Sequence, residues 1–175
     1  MSMNEYQQSL MKLKEKSVLL SGKLNFVSNE IKNLEISFQE SGIGVDYHFE
    51  FNNELDLNDE ERSAFTVKTI PGWKFLNAKV KEGLSWERDF KSGKFRLLYS
   101  RIMHEERVAF NGSYAPDGEF TTVISGSEKF PDGVSLKKPL IECSLDVRLR
   151  AWKQIPKFIN GLTSALSNAL EDSNV

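Results

Sequence analysis

The sequence is poor in the side chains that most often carry chemistry. Its 175 residues include one cysteine, Cys143, and two histidines, His48 and His104. A single cysteine excludes an intramolecular disulfide, so the sequence favours a reducing compartment. Cys143 falls on the apolar face of a predicted strand, which indicates an inert core thiol rather than a nucleophile.

Catalytic and cofactor motifs are also missing. The chain has no Gly-x-Ser-x-Gly elbow, no P-loop and no three-glycine dinucleotide fingerprint. His48 and Glu50 share one face of a predicted strand, so a metal site would need them to meet His104 in space. That spacing is looser than zinc sites show. We therefore predict a protein that is not an enzyme, with no catalytic residues, no cofactor and no metal ligands.

Export and membrane signals are the third absence. No apolar run is long enough to cross a bilayer, and the N-terminus lacks the basic-then-apolar pattern of a signal peptide. Residues 111–113 match a glycosylation sequon but are better interpreted as a turn. The sequence therefore predicts a cytoplasmic protein without a membrane partner.

The most regular feature that is present is a heptad pattern. From residue 3 to residue 34, apolar side chains recur at spacings of three and four, and only Ser17 breaks the series. A period of 3.5 residues keeps one stripe of a helix facing a partner helix. We predict a helix over residues 1–34 that serves oligomerisation through Leu10, Leu13, Leu20, Leu24, Val27 and Ile31. A bent helix packed on its own domain is the alternative, because the flanking Ser, Gln and Lys residues specify no partner.

After Asn33 the apolar period changes to two, which is typical of strands. Residues 34–38 and 45–51 are predicted to form a β-hairpin around a turn at 41–44. Residues 55–62 are predicted to be a loop or a single helical turn capped by Asn58 or Asp59. Further strands are predicted at 65–70, 73–80, 84–90, 95–102, 107–110 and 120–124. Turns are predicted near 82–83 and at 91–94, and an irregular loop at 125–138.

The last third of the chain fits two patterns. Residues 141–151 alternate between apolar and polar, but Leu145, Leu149 and Trp152 also form a helical stripe that Ser144 would cap. Pro156 would break a helix that began at residue 145, whereas the first turn of a helix tolerates it. We therefore predict a strand to residue 151 and a helix over 153–171.

These elements predict an α+β fold. It consists of a long N-terminal helix, an antiparallel β-meander of about seven to nine strands, and an amphipathic C-terminal helix packed on the sheet. Residues 35–175 are expected to form a single domain.

Charge is distributed unevenly along the chain. Residues 30–62 carry a local charge of −8 and residues 73–101 carry +5. Such polarity can steer a partner. We predict that the acidic segment 54–61 is one recognition surface. Basic side chains that alternate with aromatic residues form a second candidate binding surface: Arg88, Lys91, Lys94, Arg96, Arg148 and Arg150.

The function that best fits is that of a non-enzymatic cytoplasmic interaction protein. It would bind protein partners in a regulatory, inhibitory or accessory role and self-associate through its N-terminal helix. One alternative is a small hydrophobic ligand held between a curved sheet and the C-terminal helix. A second alternative is single-stranded nucleic acid on a basic and aromatic sheet, which an isoelectric point near 5.8 disfavours.

Overall fold

The protein places helices on one face of an antiparallel sheet, so the predicted α+β class is confirmed. The computed structural model describes residues 3–64, 73–110, 119–127, 129–130 and 132–172. In chain order the elements are α1 (Met3–Glu40), β1 (Tyr47–Leu55), α2 (Asp59–Ala64), β2 (Trp73–Arg88), β3 (Phe95–Phe110), β4 (Glu119–Ser125), β5 (Val134–Pro139), a 3₁₀ turn (Leu140–Glu142), α3 (Leu145–Trp152) and α4 (Ile155–Asp172).

The sheet is built around the two 16-residue strands β2 and β3. The strand order is β1-β2-β3-β4, and β5 also pairs with β3. Strand β4 pairs with residues 104–110 of β3 and β5 pairs with residues 98–102, so two short strands share one edge of β3. Within the described ranges the sheet thus has five strands, and the prediction of seven to nine is wrong.

The structure has fewer strands than predicted because two of the predicted breaks between strands lie inside the long strands β2 and β3. Gly83 pairs with Ser100 in the middle of β2, where a Cβ would lie 2.6 Å from the Ser100 hydroxyl oxygen. This glycine therefore permits close strand packing instead of a turn. Strand β3 likewise runs continuously through residues 102–107. The predicted turn at 91–94 is confirmed, and the strand predicted at 65–70 lies outside the described residues.

Helix α1 continues to Glu40, so the first half of the predicted hairpin is wrong. Leu34 and Phe38 are four residues apart and both pack against the core, which is helical spacing. The turn signal at 41–44 ends the helix instead. Gly42 has φ +65°, and the N–H of Ile43 donates to the Phe38 carbonyl, as in a Schellman motif.

Two further predictions in the C-terminal third are corrected. Residues 145–152 form helix α3, because Val147 and Ala151, four residues apart, both reach the core from one face of a helix. A turn at residues 153–154 separates α3 from α4, and Pro156 lies in the first turn of α4, as predicted. Within the predicted loop at 125–138, residues 134–139 form β5.

The core lies between the sheet and helices α1, α3 and α4. The Trp86 indole meets Phe38 edge-on at 5.2 Å and donates its N–H to the Ile43 carbonyl at 2.9 Å. Phe158 of α4 packs against Tyr47 of β1, with ring centroids 5.3 Å apart. Large side chains thus occupy the space between the sheet and the C-terminal helix.

Two helical glycines provide a matched test of this packing. A Cβ on Gly161 would overlap the Tyr47 hydroxyl and lie 2.5 Å from Tyr47 Cζ, whereas a Cβ on Gly22 would meet nothing within 4 Å. Gly161→Ala is expected to lower the free energy of unfolding by about 1–3 kcal/mol. Gly22→Ala gains helix propensity worth about 1 kcal/mol and is expected to raise helix stability. Urea and thermal unfolding followed by circular dichroism measure both. Equal stabilisation by the two variants would contradict the close contact at Gly161.

Candidate interaction surfaces

The N-terminal part of α1 extends beyond the domain. Every described side chain from Glu5 to Lys23 is exposed. Leu10, Leu13 and Leu20 are 38%, 65% and 48% exposed. We call residues 3–24 the arm. At 1.5 Å per residue the arm is about 33 Å long.

The six predicted oligomerisation residues fall into two groups. Leu10, Leu13 and Leu20 are exposed in the arm, and Leu24 is partly buried at its end. Val27 and Ile31 are buried in the core of their own chain, as the alternative of a helix packed on its own domain required. The same heptad stripe is therefore exposed in the arm and buried where α1 packs on the sheet, because one helical period suits both a partner helix and a sheet.

Apolar exposure in the arm is not confined to the heptad stripe. Met11, Val18 and Leu19 are 64%, 73% and 67% exposed. Because successive helical residues are rotated by about 100°, Val18, Leu19 and Leu20 point in three directions. A helix that is apolar on several sides needs neighbours on more than one side.

The second exposed surface is the hairpin that joins β2 to β3. We call residues 88–96 the tip. The Asp89 carboxylate accepts hydrogen bonds from the N–H groups of Lys91 and Ser92 at 3.3 and 3.2 Å and from the Ser92 hydroxyl at 2.8 Å. The hydrogen bond from Ser92 holds the pKa of Asp89 below its ordinary value. Gly93 has φ +68°, which closes the turn without strain.

Four of the six predicted binding-surface residues meet at the tip. Arg88, Lys91 and Lys94 are exposed, and the Arg88 guanidinium lies 5.6 Å from the Phe95 ring centroid. Arg96 is instead paired with Glu35 at 3.1 Å and Glu142 at 3.6 Å. Phe90 stands at the turn with 98% of its surface exposed. The alternation of bases with aromatics indicated this region but did not single out Phe90.

Arg148 and Arg150 lie elsewhere and hold the domain together. Arg148 donates to the Ser28 hydroxyl at 2.6 Å and so joins α3 to α1. Arg150 donates to both carboxylate oxygens of Glu82, at 2.8–3.1 Å, and to Asp146 at 2.8 Å. Because residues 145–152 are helical, these arginines face the domain and do not extend the basic surface of the strands.

Glu82 is the buried centre of this second group. Its side chain is fully buried, and the Tyr99 hydroxyl donates to it at 2.8 Å. Burial and this bond raise the pKa of Tyr99, so the phenol stays a neutral donor. Hydrogen bonding to Glu82 raises the pKa of Arg150.

The acidic segment is partly internal. Of the two predicted caps, Asn58 is the one that caps α2. Its side-chain oxygen accepts from the Glu61 N–H at 2.8 Å, and the Glu61 carboxylate accepts from the Asn58 N–H at 2.9 Å. Glu61 is buried and also binds Arg101 at 2.7 Å and the Ser135 hydroxyl. Burial alone would raise the pKa of Glu61, but these hydrogen bonds and the Arg101 charge lower it overall. Glu61 therefore supports the fold and is not a recognition residue.

The candidate metal and thiol groups also have defined places. His104 lies 3.6 Å from Glu50, and His48 lies 3.4 Å from Glu87. Each histidine therefore has its own carboxylate partner, although both lie on the same face of the sheet. Across the residues described, no group of three His, Cys, Asp or Glu side chains is arranged to hold a metal. Burial raises the pKa of Cys143 to about 11, which fits an inert thiol.

Comparisons with known proteins add no identification. No family model matches the chain, and neither a curated protein nor a solved structure matches it. Among the helices that the structure describes, none combines the length and apolarity that a membrane crossing requires.

Removing Arg150 tests whether it is structural. Arg150→Met leaves the carboxylate of Glu82 buried without its cation and is expected to lower the free energy of unfolding by about 3 kcal/mol. Arg88→Met removes the same charge from an exposed site and is expected to change stability by less than about 0.5 kcal/mol. Urea unfolding at neutral pH compares them. Equal stabilities would show that the Glu82–Arg150 pair does not support the fold.

The Glu61 carboxylate is expected to make stability depend on pH. Because folding lowers its pKa, its contribution is present above the unfolded value of 4.5 and is lost as pH falls through the folded value. Wild-type stability should therefore decline in that range, and Glu61→Gln should show a smaller decline from an already lower stability. Urea unfolding from about pH 7 to about pH 3 measures this. Glu60→Gln is the matched control at neutral pH. Glu60 pairs with Lys129 at 3.1 Å on the surface, and an exposed pair is worth about 0–1 kcal/mol. Parallel pH profiles for wild type and Glu61→Gln would contradict the assignment.

Proposed function

We propose that this chain is a non-enzymatic interaction protein that self-associates through the arm and binds another macromolecule. Its role would be regulatory, inhibitory or accessory, in the cytoplasm. The observation that supports this most directly is the bare arm, in which the heptad stripe continues from the core into solvent.

The energetics of the arm favour a partner. Most helical stability in proteins comes from packing an apolar face, and the exposed arm lacks that packing on its own domain. Burying a Leu, Val or Met side chain fully is worth about 1.5–3 kcal/mol relative to exposure. The arm has six such side chains exposed: Leu10, Met11, Leu13, Val18, Leu19 and Leu20. Association would therefore stabilise the arm by several kcal/mol.

A second copy of the chain is the partner that best fits. In the heptad set by Leu10 and Leu24, the flanking positions of a parallel pair place Lys16 of one chain opposite Ser21 of the other. Lys14 likewise faces Ser9. Within the arm, no like charges oppose each other in this register, so parallel arms can pack without repulsion.

Parallel arms would also display the tips together. Near the end of α1, Gln39 donates to the Phe95 carbonyl at 2.9 Å, and Glu35 accepts from the Leu97 N–H at 3.2 Å. The tip therefore lies beside the C-terminal end of α1, about 39 Å along the helix from Leu13. Self-association at one end would present several tips at the other, which raises the avidity for a repeating partner.

Two substitutions in the arm test self-association. Leu13→Asp combined with Leu20→Asp places charges in the stripe and is expected to give a folded monomer with unchanged β-type circular dichroism. Native mass spectrometry of the wild type should show a dimer or a larger oligomer, because the stripe of the arm is not covered by its own domain.

The matched control is Gln8→Asp combined with Gly22→Asp. It adds the same charge on the side of α1 opposite the stripe, and it should leave the oligomer intact. A monomeric wild type, or an oligomer that survives the Leu13 and Leu20 substitutions, would contradict self-association through the arm.

A further inference from the structure

We propose that the tip binds single-stranded nucleic acid, with a base stacked on Phe90 and backbone phosphates held by Arg88, Lys91 and Lys94. This names a partner class for the binding role proposed above, and it does not depend on self-association.

The Phe90 ring is presented as a free stacking surface. It is 98% exposed, and the turn beneath it is fixed by the hydrogen bonds that Asp89 accepts from Ser92 and Lys91. An exposed phenylalanine gains nothing for the fold, whereas a rigid aromatic ring offers a face to any base. A base stacked on an aromatic side chain contributes affinity without requiring a specific sequence.

The charge available around Phe90 is positive. Arg88, Lys91 and Lys94 form no ion pair within the described part of the chain, although Arg88 lies over the Phe95 ring. Apart from the exposed Asp46, the carboxylates nearby are engaged by the protein itself. Glu87 pairs with Lys137 and His48, Glu142 pairs with Arg96, and Asp89 holds the turn.

A groove lies on each side of Phe90. The first, of about 440 Å³, is lined by four basic and three acidic residues: Lys91, Arg96, Lys137 and Lys138 with Glu87, Asp89 and Glu142. The second, of about 550 Å³, is lined by one basic and three acidic residues: Arg88 with Asp46, Glu87 and Asp89. Because basic residues outnumber acidic ones only in the first groove, the phosphate backbone is expected to follow that groove past Lys91, and Arg88 contacts the strand where it crosses Phe90.

Nucleic acid fits this surface better than the other anionic partners. Apart from Phe90, the turn residues are polar: Asp89, Lys91, Ser92 and Lys94. A lipid-binding loop would need more apolar surface to enter a bilayer, whereas stacking requires one planar ring. The low isoelectric point of the whole chain reflects acids in other segments, so the basic footprint here is local.

Fluorescence anisotropy with a labelled thymidine oligomer of about 12 nucleotides tests the proposal. Binding is expected at about 50 mM salt, and log K should fall with log salt with a slope near −2, as roughly three phosphate contacts predict. Phe90→Ala should weaken binding roughly tenfold. Phe90→Trp should retain binding, and its additional fluorescence should be quenched on stacking.

Charge variants separate the tip from general electrostatics. Lys91→Glu with Lys94→Glu should weaken binding roughly a hundredfold at low salt. Lys12→Glu with Lys157→Glu changes the net charge equally at exposed sites outside the tip and should stay within about threefold of wild type.

Several outcomes would overturn the proposal. One is that the labelled oligonucleotide does not bind at low salt. The others are that Phe90→Ala leaves its binding unchanged, or that the two charge variants weaken its binding equally. If the protein bound phosphatidylserine vesicles or polyglutamate but not the oligonucleotide, the tip would be assigned to a lipid or an acidic protein. The monomeric Leu13→Asp, Leu20→Asp variant keeps the tip. Whether this variant binds the labelled oligonucleotide therefore separates this proposal from self-association.

Discussion

The docking of the second half of α1 on the β2–β3 hairpin is the contact on which the rest of the structure depends. Ile31 and Phe38 enter the core beside Trp86, and Glu35 and Gln39 bind the first residues of β3. This contact fixes the direction of the helix. Because α1 is one continuous helix, it also determines where the arm projects and where the tip lies. The two proposed interaction surfaces are thus linked by one rigid element rather than by a flexible linker.

Two buried carboxylates fasten the remaining elements to that framework. Glu61 joins α2 to Arg101 of β3, and Glu82 joins β2 to Arg150 of α3. A buried ion pair adds little net stability compared with apolar packing, but removing one partner is costly. These pairs therefore specify how α2 and α3 sit on the sheet more than they deepen the energy minimum. They also remove Glu61 and Arg150 from the surfaces available to partners, and Arg148 is engaged by Ser28.

Several sequence predictions failed for one shared reason. Residues 34–38 and 141–151 alternate like strands, yet in each segment apolar residues also lie four residues apart, as on one face of a helix. Short segments of this kind satisfy both periods, and the contacts available in the fold decide between them. Leu34 and Phe38 reach the core only as one helical face. Gly83 shows the same limit for turns, because a glycine signals either a turn or a close approach until its neighbour Ser100 is known.

The sequence by itself determined the α+β class, the heptad of the long helix, a cap at Asn58 or Asp59, the turn at 91–94 and the place of Pro156. These features depend on local period, backbone geometry and nearest neighbours, which short stretches of sequence contain. Tertiary structure decided which half of the heptad is buried, which arginines are engaged and which aromatic ring is exposed. Trp86 and Phe90 lie four residues apart on similar sequence patterns, yet one is fully buried and the other is 98% exposed. Only long-range packing distinguishes them, since burial depends on what the rest of the chain places against a side chain.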